Sequence, residues 1–197
     1  NIGHARCNAV GLRYIYSKEI YDYVIIMDSD GEDRPIEIKN LISKIEEKPN
    51  NSVVAKRVKR SEGVIFQFLY QTHKLITFLF TGENVNFGNY SCLTKNDTKL
   101  LFDKASLWSS FSGTVKKYIK NLSEINSIRG LRYIGPSKMS LLSLVIHSFS
   151  IIAVFKFTVF LRSTFIIIFL SFLAKSYGSI IISIQIMIVI FNLLIFI

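Results

Sequence analysis

The strongest constraint on this sequence is an uncharged run at its carboxyl end. Tyr177–Ile197 is a stretch of 21 residues without a charged side chain. A helix of that length, rising ~1.5 Å per residue, crosses the hydrocarbon core of a bilayer, which is ~30 Å thick. The preceding Phe157–Ala174 nearly spans this core as well if Arg162 extends its charged end to the lipid headgroups. We therefore predict a transmembrane region over residues 156–197, with helices at about 157–175 and 177–197.

Charge is unevenly distributed along the chain, whose net charge is +10. All 14 acidic residues lie at or before Glu124, and only basic charges follow it. Basic flanks around apolar segments are typical of contact with anionic membrane lipids. Nucleic acid is the other usual partner of a basic chain, but no recognition motif for it accompanies these residues. Residues 139–155, with Ser and His spaced among apolar side chains, are expected to form a helix in the membrane interface.

Residues 1–138 show the alternation of helices and strands that is typical of an α/β domain. Tyr21–Met27 is a short, almost continuously apolar run, as expected of a strand buried on both faces of a parallel sheet. Pro35 suits the first turn of the helix that follows, and Ser52–Val58 is the next predicted strand. Ligands of such domains bind at the carboxyl ends of the strands. Further elements are predicted at Val64–Phe80 (helix), Asn84–Thr94 (strand), Asn96–Asp103 and Ser106–Leu122 (helices), and Glu124–Tyr133 (strand).

The residues after the first predicted strand are unusually acidic, in the segment VIIMDSDGEDRP (Val24–Pro35). Carboxylates this close repel one another unless a cation or hydrogen-bond donors offset their charge. An EF-hand is excluded, because the positions that need Gly and a carboxylate hold Asp33 and Lys39. The pattern favours a D-x-D site in which Mg²⁺ or Mn²⁺ neutralises a diphosphate leaving group. A solvated acidic turn is the alternative.

Four motifs in this order resemble the family-2 inverting glycosyltransferases of the dolichol-phosphate mannosyltransferase and polyprenyl-phosphate sugar transferase type. The first is VIIMDSDGEDRP, preceded by NIGH and GL, which matches a strand ending in D-x-D-x-Q or D-x-D-x-E before a helix-opening Pro. AKRVKRSEG, NFGNYSCLT and RGLRYIGPSKM follow. The resemblance covers about residues 1–162 and implies a GT-A (Rossmann-like) catalytic domain.

The resemblance also implies roles for residues near the first two motifs. Asp28, Asp30 and Glu32 would be metal ligands for Mg²⁺ or Mn²⁺, and Asp28 would also lie near the nucleotide. Arg57 would face the donor phosphates. Read without the resemblance, the basic run around Arg57 could equally be a solvated charged surface.

The last two motifs imply the acceptor side of the site. Asn89 and Arg132 take the catalytic positions, and Ser137 and Lys138 would bind the donor or the lipid phosphate. Independently of the resemblance, Arg129, Arg132 and Lys138 place three cations just ahead of a membrane segment, which suits binding of phosphate oxygens. The alternative is ordinary positive-inside charge without a catalytic role.

Two departures from the family pattern bear on these expectations. The family's first strand and its nucleobase loop should precede Asn1, and the chain does not begin with Met, so an N-terminally incomplete domain is expected. The position often held by Asp after Gly88 is Asn89, which cannot act as a carboxylate base. The resemblance therefore leaves the identity of a base open.

The expected function is inverting hexosyl transfer from a nucleotide-diphosphate sugar to polyprenyl (dolichyl or undecaprenyl) phosphate at the membrane surface. The catalytic domain should face the cytoplasm, at a bacterial inner membrane rather than the endoplasmic reticulum, and a homo-oligomer is compatible with the sequence. A processive polysaccharide synthase would need a Q-x-x-R-W motif, which the sequence lacks. The alternative from another class is a non-catalytic membrane scaffold whose acidic turn binds metal structurally.

Overall fold

The computed structural model describes residues 2–59, 64–135 and 140–196, and only the backbone at residues 57–59, 64–70, 141 and 174–177. The alternation of helices and strands up to β4 confirms the α/β class. The elements in chain order are α1 (His4–Lys18), β1 (Tyr23–Ile26), a 3-10 turn (Pro35–Glu37), α2 (Ile38–Glu47), β2 (Ser52–Lys59), α3 (Val64–Thr81), β3 (Phe87–Thr94), α4 (Lys95–Leu101), a second 3-10 turn (Ala105–Trp108), α5 (Phe111–Tyr118), β4 (Leu122–Ile128), α6 (Leu141–Ala153) and α7 (Lys156–Phe196).

The strands of the described chain form one mixed sheet in the order β1-β3-β2-β4. Strand β3 is antiparallel to both β1 and β2, whereas β2 and β4 are parallel. Strands β1, β2 and β4 therefore run in one direction and end at the same edge of the sheet. The amino end of β3 reaches that edge too. Because Ile26 pairs with Ser91, Asn89 lies across from the residues that follow β1.

The expectation of a parallel sheet around the first strand is wrong. Within the described residues β1 pairs only with the antiparallel β3, and its Tyr23 is exposed while Val24 is buried. An apolar run indicates burial but carries no information on the direction of the neighbouring strand. Here the chain passes through α3 before it returns between β1 and β2 as β3.

Two later elements differ from their predicted bounds. The helix predicted at Ser106–Leu122 is a 3-10 turn followed by α5, because Ser110 caps α5 by accepting a hydrogen bond from the Gly113 N–H. The last strand ends at Ile128 and does not reach Tyr133. The residues beyond Ile128 bind the loop after β1 instead, as described below.

Helices pack on both faces of the sheet. On one face, α1 and α5 contribute Leu12, Phe111 and Val115 to a cluster with Val54 and Leu93 of the strands. On the other, α2 contributes Leu41 and Ile45 to a cluster that includes Val53 and Tyr90. Each such buried apolar side chain stabilises the fold by about 1.5–3 kcal/mol. The sheet edge that carries the acidic residues is therefore held by packing from both sides.

The carboxyl-terminal part confirms a pair of apolar helices. Helix α7 is assigned over 41 residues, and a straight helix of that length would extend roughly 60 Å. Yet the ring centroids of Phe157 and Phe196 lie 6.3 Å apart, and Gln185 Nε2 donates to Ser171 Oγ at 2.8 Å. The chain thus doubles back between two arms, Lys156–Leu173 and Gly178–Phe196. Each arm is long and apolar enough to cross a membrane, by length and composition.

Arg162, six residues after the start of the first arm, contacts the end of α3. Its Nη1 donates to the carbonyl of Leu79 at 3.2 Å, where a cation also interacts favourably with the helix dipole. The guanidinium lies over Gly82, which follows α3 with φ +76° and donates its N–H to Phe78 at 2.8 Å. A Cβ at Gly82 would lie 2.5 Å from Arg162 Nη2. This contact joins the first arm to the end of α3.

Replacing Gly82 with Ala should destabilise the protein by about 1–2 kcal/mol, the cost of an L-residue in the left-handed region. Displacement of the Arg162 guanidinium adds to that cost. The measurement is the thermal unfolding midpoint in detergent. Gly11→Ala is the matched control, because Gly11 lies within α1 with open space around its Cβ position, and Ala there should be neutral or stabilising. An unchanged midpoint for Gly82→Ala would contradict the described contact.

Candidate functional site

The acidic loop, residues 28–33, follows β1 and is closed by its own side chains. Asp33 is buried, and its Oδ2 accepts the backbone N–H of Asp28 at 2.8 Å. Asp30 Oδ1 accepts the N–H of Glu32 at 3.0 Å. Gly31 adopts φ +94°, a conformation that L side chains rarely take. These bonds hold the backbone of the loop in one conformation.

The arginine segment, residues 129–133, lies against this loop through backbone contacts. The Gly130 N–H donates to the Glu32 carbonyl at 2.8 Å, and the Tyr133 N–H donates to the Asp30 carbonyl at 2.9 Å. A Cβ on Gly31 would lie 2.8 Å from the Leu131 carbonyl oxygen. The close approach of the two segments therefore requires glycine at position 31. These hydrogen bonds also explain why β4 ends before the segment begins.

Glu37 fixes the end of β4 next to the loop. Its carboxylate is buried and accepts Ser127 Oγ at 2.6 Å and the Ile128 N–H at 3.1 Å. Glu37 belongs to the 3-10 turn that opens α2, so one side chain ties this turn to the end of the strand that precedes Arg129. The arginine segment is thus held in two ways: the acidic loop binds its backbone, and Glu37 binds the end of β4 just before it.

Two arginines of the segment form ion pairs with the loop. Arg132 Nε donates to Glu32 Oε1 at 2.7 Å, and its Nη2 lies 3.1 Å from Asp30 Oδ2. Arg129 Nη2 pairs with the other carboxylate oxygen, Oε2, of Glu32. Burial raises the pKa of Glu32, but the hydrogen bonds and charges of both arginines outweigh it and lower the pKa below its ordinary value. The hydrogen bond with Glu32 likewise raises the pKa of Arg132.

Asn89 completes the site from β3. Its Nδ2 donates to Asp28 Oδ1 at 3.0 Å, which orients the carboxylate at the end of β1. An amide cannot take up a proton near neutral pH, so Asn89 can position a group but cannot serve as a base. The neighbouring Tyr90 hydroxyl donates to the Arg34 carbonyl at 2.8 Å. Burial, with the charges of Glu37 and Asp33, raises the pKa of Tyr90 to about 12.

The expected Mg²⁺ or Mn²⁺ can be tested against these contacts. Both carboxylate oxygens of Glu32 are engaged by arginines, so Glu32 does not fit a ligand position as it is placed here. Asp28 and Asp30 fit better. Both oxygens of Asp30 are engaged as well, but one of them only by the Glu32 N–H and the other by a single arginine, and Mg²⁺ commonly takes one or two carboxylates alongside substrate phosphates. Among the residues that the structure describes, no group of three or more His, Cys, Asp or Glu side chains is arranged to hold a metal.

The structure brings five of the predicted site residues together: Asp28, Asp30, Glu32, Asn89 and Arg132. The other three, the side chain of Arg57 and residues Ser137 and Lys138, lie outside the described residues. Sequence reasoning missed the closure of the loop by Asp33 and the pairing of Arg129 with Glu32. The opposite charges are visible in the sequence, but nothing local indicates that residues almost a hundred positions apart meet.

The chain matches a known family. Residues 3–111, more than half of the chain, match the family model described as glycosyl transferase family 2. The matched range contains the acidic loop and Asn89, and it ends before the arginine segment. None of the curated proteins matches the chain.

Proposed function

Because the chain belongs to glycosyl transferase family 2, we propose that it transfers a hexose from a nucleotide-diphosphate sugar to a polyprenyl phosphate at the membrane surface, with inversion at the anomeric carbon. One observation carries this proposal. The acidic loop and the arginine segment meet at one sheet edge, and α6 begins only nine residues after Arg132. Because nine extended residues span at most about 30 Å, Arg132 lies within that distance of the start of α6.

The donor diphosphate would bind at the acidic loop. Mg²⁺ or Mn²⁺, held by Asp28 and Asp30, would supply Lewis acidity to the departing diphosphate. Asn89 keeps the Asp28 carboxylate in one orientation through the 3.0 Å hydrogen bond. Four carboxylates and two guanidinium groups meet around the loop. This excess of negative charge favours a cation at the site.

The acceptor would enter from the arginine segment. A polyprenyl phosphate oxygen attacks the anomeric carbon as the bond from that carbon to the diphosphate oxygen breaks, and the nucleoside diphosphate leaves. The acceptor oxygen is already ionised near neutral pH, so the reaction needs positioning and charge stabilisation more than a base. Asn89, an amide, is compatible with such a site. Arg132, as a planar two-donor group, is suited to the charge that develops on the leaving diphosphate.

The two apolar arms support a membrane location for this chemistry. A polyprenyl chain is confined to the bilayer, so its phosphate lies at the headgroup level. We propose that α6 lies in this interface, as the Ser and His residues spaced among apolar side chains over residues 139–155 predict. Arg129, Arg132, Lys138, Lys156 and Arg162 precede or begin the first arm, whereas Lys175 lies at the reversal. This bias supports a cytoplasmic location for the catalytic domain.

Transfer can be tested with radiolabelled donors. Full-length enzyme in detergent, polyprenyl phosphate and each nucleotide sugar in turn should yield label that extracts into organic solvent for one donor. The product of an α-linked donor should carry the β-linked sugar. The scaffold alternative predicts no label in the lipid fraction with any donor.

Topology can be tested through the native cysteines. Cys7 is exposed, whereas Cys92 is buried and its pKa is raised to about 11 by burial, so only Cys7 should react with a thiol reagent. A membrane-impermeant maleimide should label Cys7 in inside-out vesicles and not in sealed right-side-out vesicles. In a Cys7→Ser background, Ser179→Cys should show the opposite pattern, because Ser179 begins the second arm. Labelling of Cys7 from outside would overturn the orientation.

A further inference from the structure

Glu32 contacts several residues of the site at once. Its carboxylate accepts Arg132 Nε at 2.7 Å on one oxygen and pairs with Arg129 Nη2 on the other. Its carbonyl accepts the Gly130 N–H at 2.8 Å, and its own N–H donates to Asp30 Oδ1 at 3.0 Å. One residue thus joins the acidic loop to both arginines and to the backbone between them.

Burial separates Glu32 from its neighbours. The Glu32 side chain is 10% exposed, against 35% for Asp30, 28% for Arg132 and 30% for Arg129. A carboxylate so far removed from water is stable as an anion only while its partners stay in place. The partly exposed guanidinium groups and Asp30, by contrast, can still reach a ligand. Glu32 is therefore the buried partner in these ion pairs, whereas Arg129, Arg132 and Asp30 are exposed enough to contact substrate.

We propose that Glu32 is a positioning residue that holds Arg129 and Arg132 for phosphate binding, and that it is not a metal ligand. The proposal rests on the proposed function, since the phosphates belong to its donor and acceptor. Without Glu32, Arg129 and Arg132 would each lose a partner that limits their rotamer freedom, and Arg132 would keep its contact with Asp30. The added freedom is a cost for every subsequent phosphate contact. Asp28 and Asp30 then remain as the metal-binding pair.

Hydrogen exchange tests the positioning without any catalytic activity. In Glu32→Gln, the peptide amides of residues 129–133 should exchange at least about tenfold faster, because the carboxylate that holds both arginines is gone. Glu124→Gln is the matched control. It removes the ion pair of Glu124 on β4 with Lys56, and the amides of residues 129–133 should exchange in it as in wild type. Equal exchange of residues 129–133 in wild type and Glu32→Gln would overturn the proposal.

Kinetics distinguish a positioning residue from a metal ligand. Glu32→Gln should lower kcat/KM roughly 10- to 100-fold, as expected for a side chain that supports groups contacting the ligand. The Mn²⁺ concentration for half-maximal rate should change less than about twofold. A rise of tenfold or more would instead make Glu32 a metal ligand and overturn the proposal. If wild-type enzyme transfers no sugar, the proposed function fails, and the exchange comparison still decides whether Glu32 holds the arginines.

Discussion

Lysine in place of Arg132 is expected to lower kcat roughly 100-fold although the charge is retained. Arg132 contacts Glu32 through Nε and Asp30 through Nη2 at the same time. An ammonium group has no planar pair of donors and cannot keep both contacts while it also faces a phosphate. Removal of one preorganised donor from an anion-stabilising site typically costs 10²–10³-fold in kcat. Steady-state kinetics of the full-length enzyme in detergent measure this loss.

The matched control for this variant is Arg6→Lys. Arg6 lies on α1 over the ring of Trp108, 5.9 Å from its centroid. Its replacement keeps the charge and should leave both kinetic parameters as in wild type. If Arg132→Lys also matched wild type in kcat and KM, Arg132 would be reduced to positive-inside charge without a catalytic role.

Asparagine in place of Asp30 is expected to reduce transfer by more than about 100-fold, because it removes charge from the proposed metal-binding pair. The fold should persist, since the amide oxygen of Asn can still accept the Glu32 N–H that now binds Asp30 Oδ1 at 3.0 Å. Turnover across a range of Mn²⁺ concentrations measures the loss, and the unfolding midpoint checks the fold.

Asp103→Asn is the control for that experiment, because Asp103 is exposed and pairs only locally with Lys104 among the contacts described. It should leave turnover unchanged. Metal-dependent activity of Asp30→Asn equal to wild type would remove Asp30 from the site. The acidic loop would then be interpreted as a solvated turn without a bound metal.

The sequence predicted the part of the site at the end of β1, because that part depends only on residues that are neighbours in the sequence. An apolar strand followed by D-x-D places Asp28 and Asp30 at a sheet edge whatever the neighbouring strand does. Asn89 was placed by the resemblance, and its contact with Asp28 follows from the antiparallel β3, whose direction the sequence did not reveal. Glu32 was expected to bind metal. Its pairing with Arg129 and Arg132 depends on where the chain goes after β4, which no local pattern encodes.

The two apolar arms were predictable for a related reason. An uncharged run of 21 residues is long enough to cross a bilayer as one helix, whatever the rest of the chain does. The contact of Arg162 with the end of α3 was not predictable, because it joins residues 83 positions apart in the sequence. It gives a long polar side chain near the start of the first arm a protein partner, where the sequence suggested only lipid headgroups.

The most direct test of this account is mass spectrometry of the lipid product. Full-length enzyme, Mn²⁺, a defined polyprenyl phosphate and a mixture of nucleotide sugars should yield a lipid heavier than the acceptor by one hexose, and Asp30→Asn should yield almost none. A polyprenyl phosphate of unchanged mass after incubation with wild-type enzyme would contradict the proposed reaction.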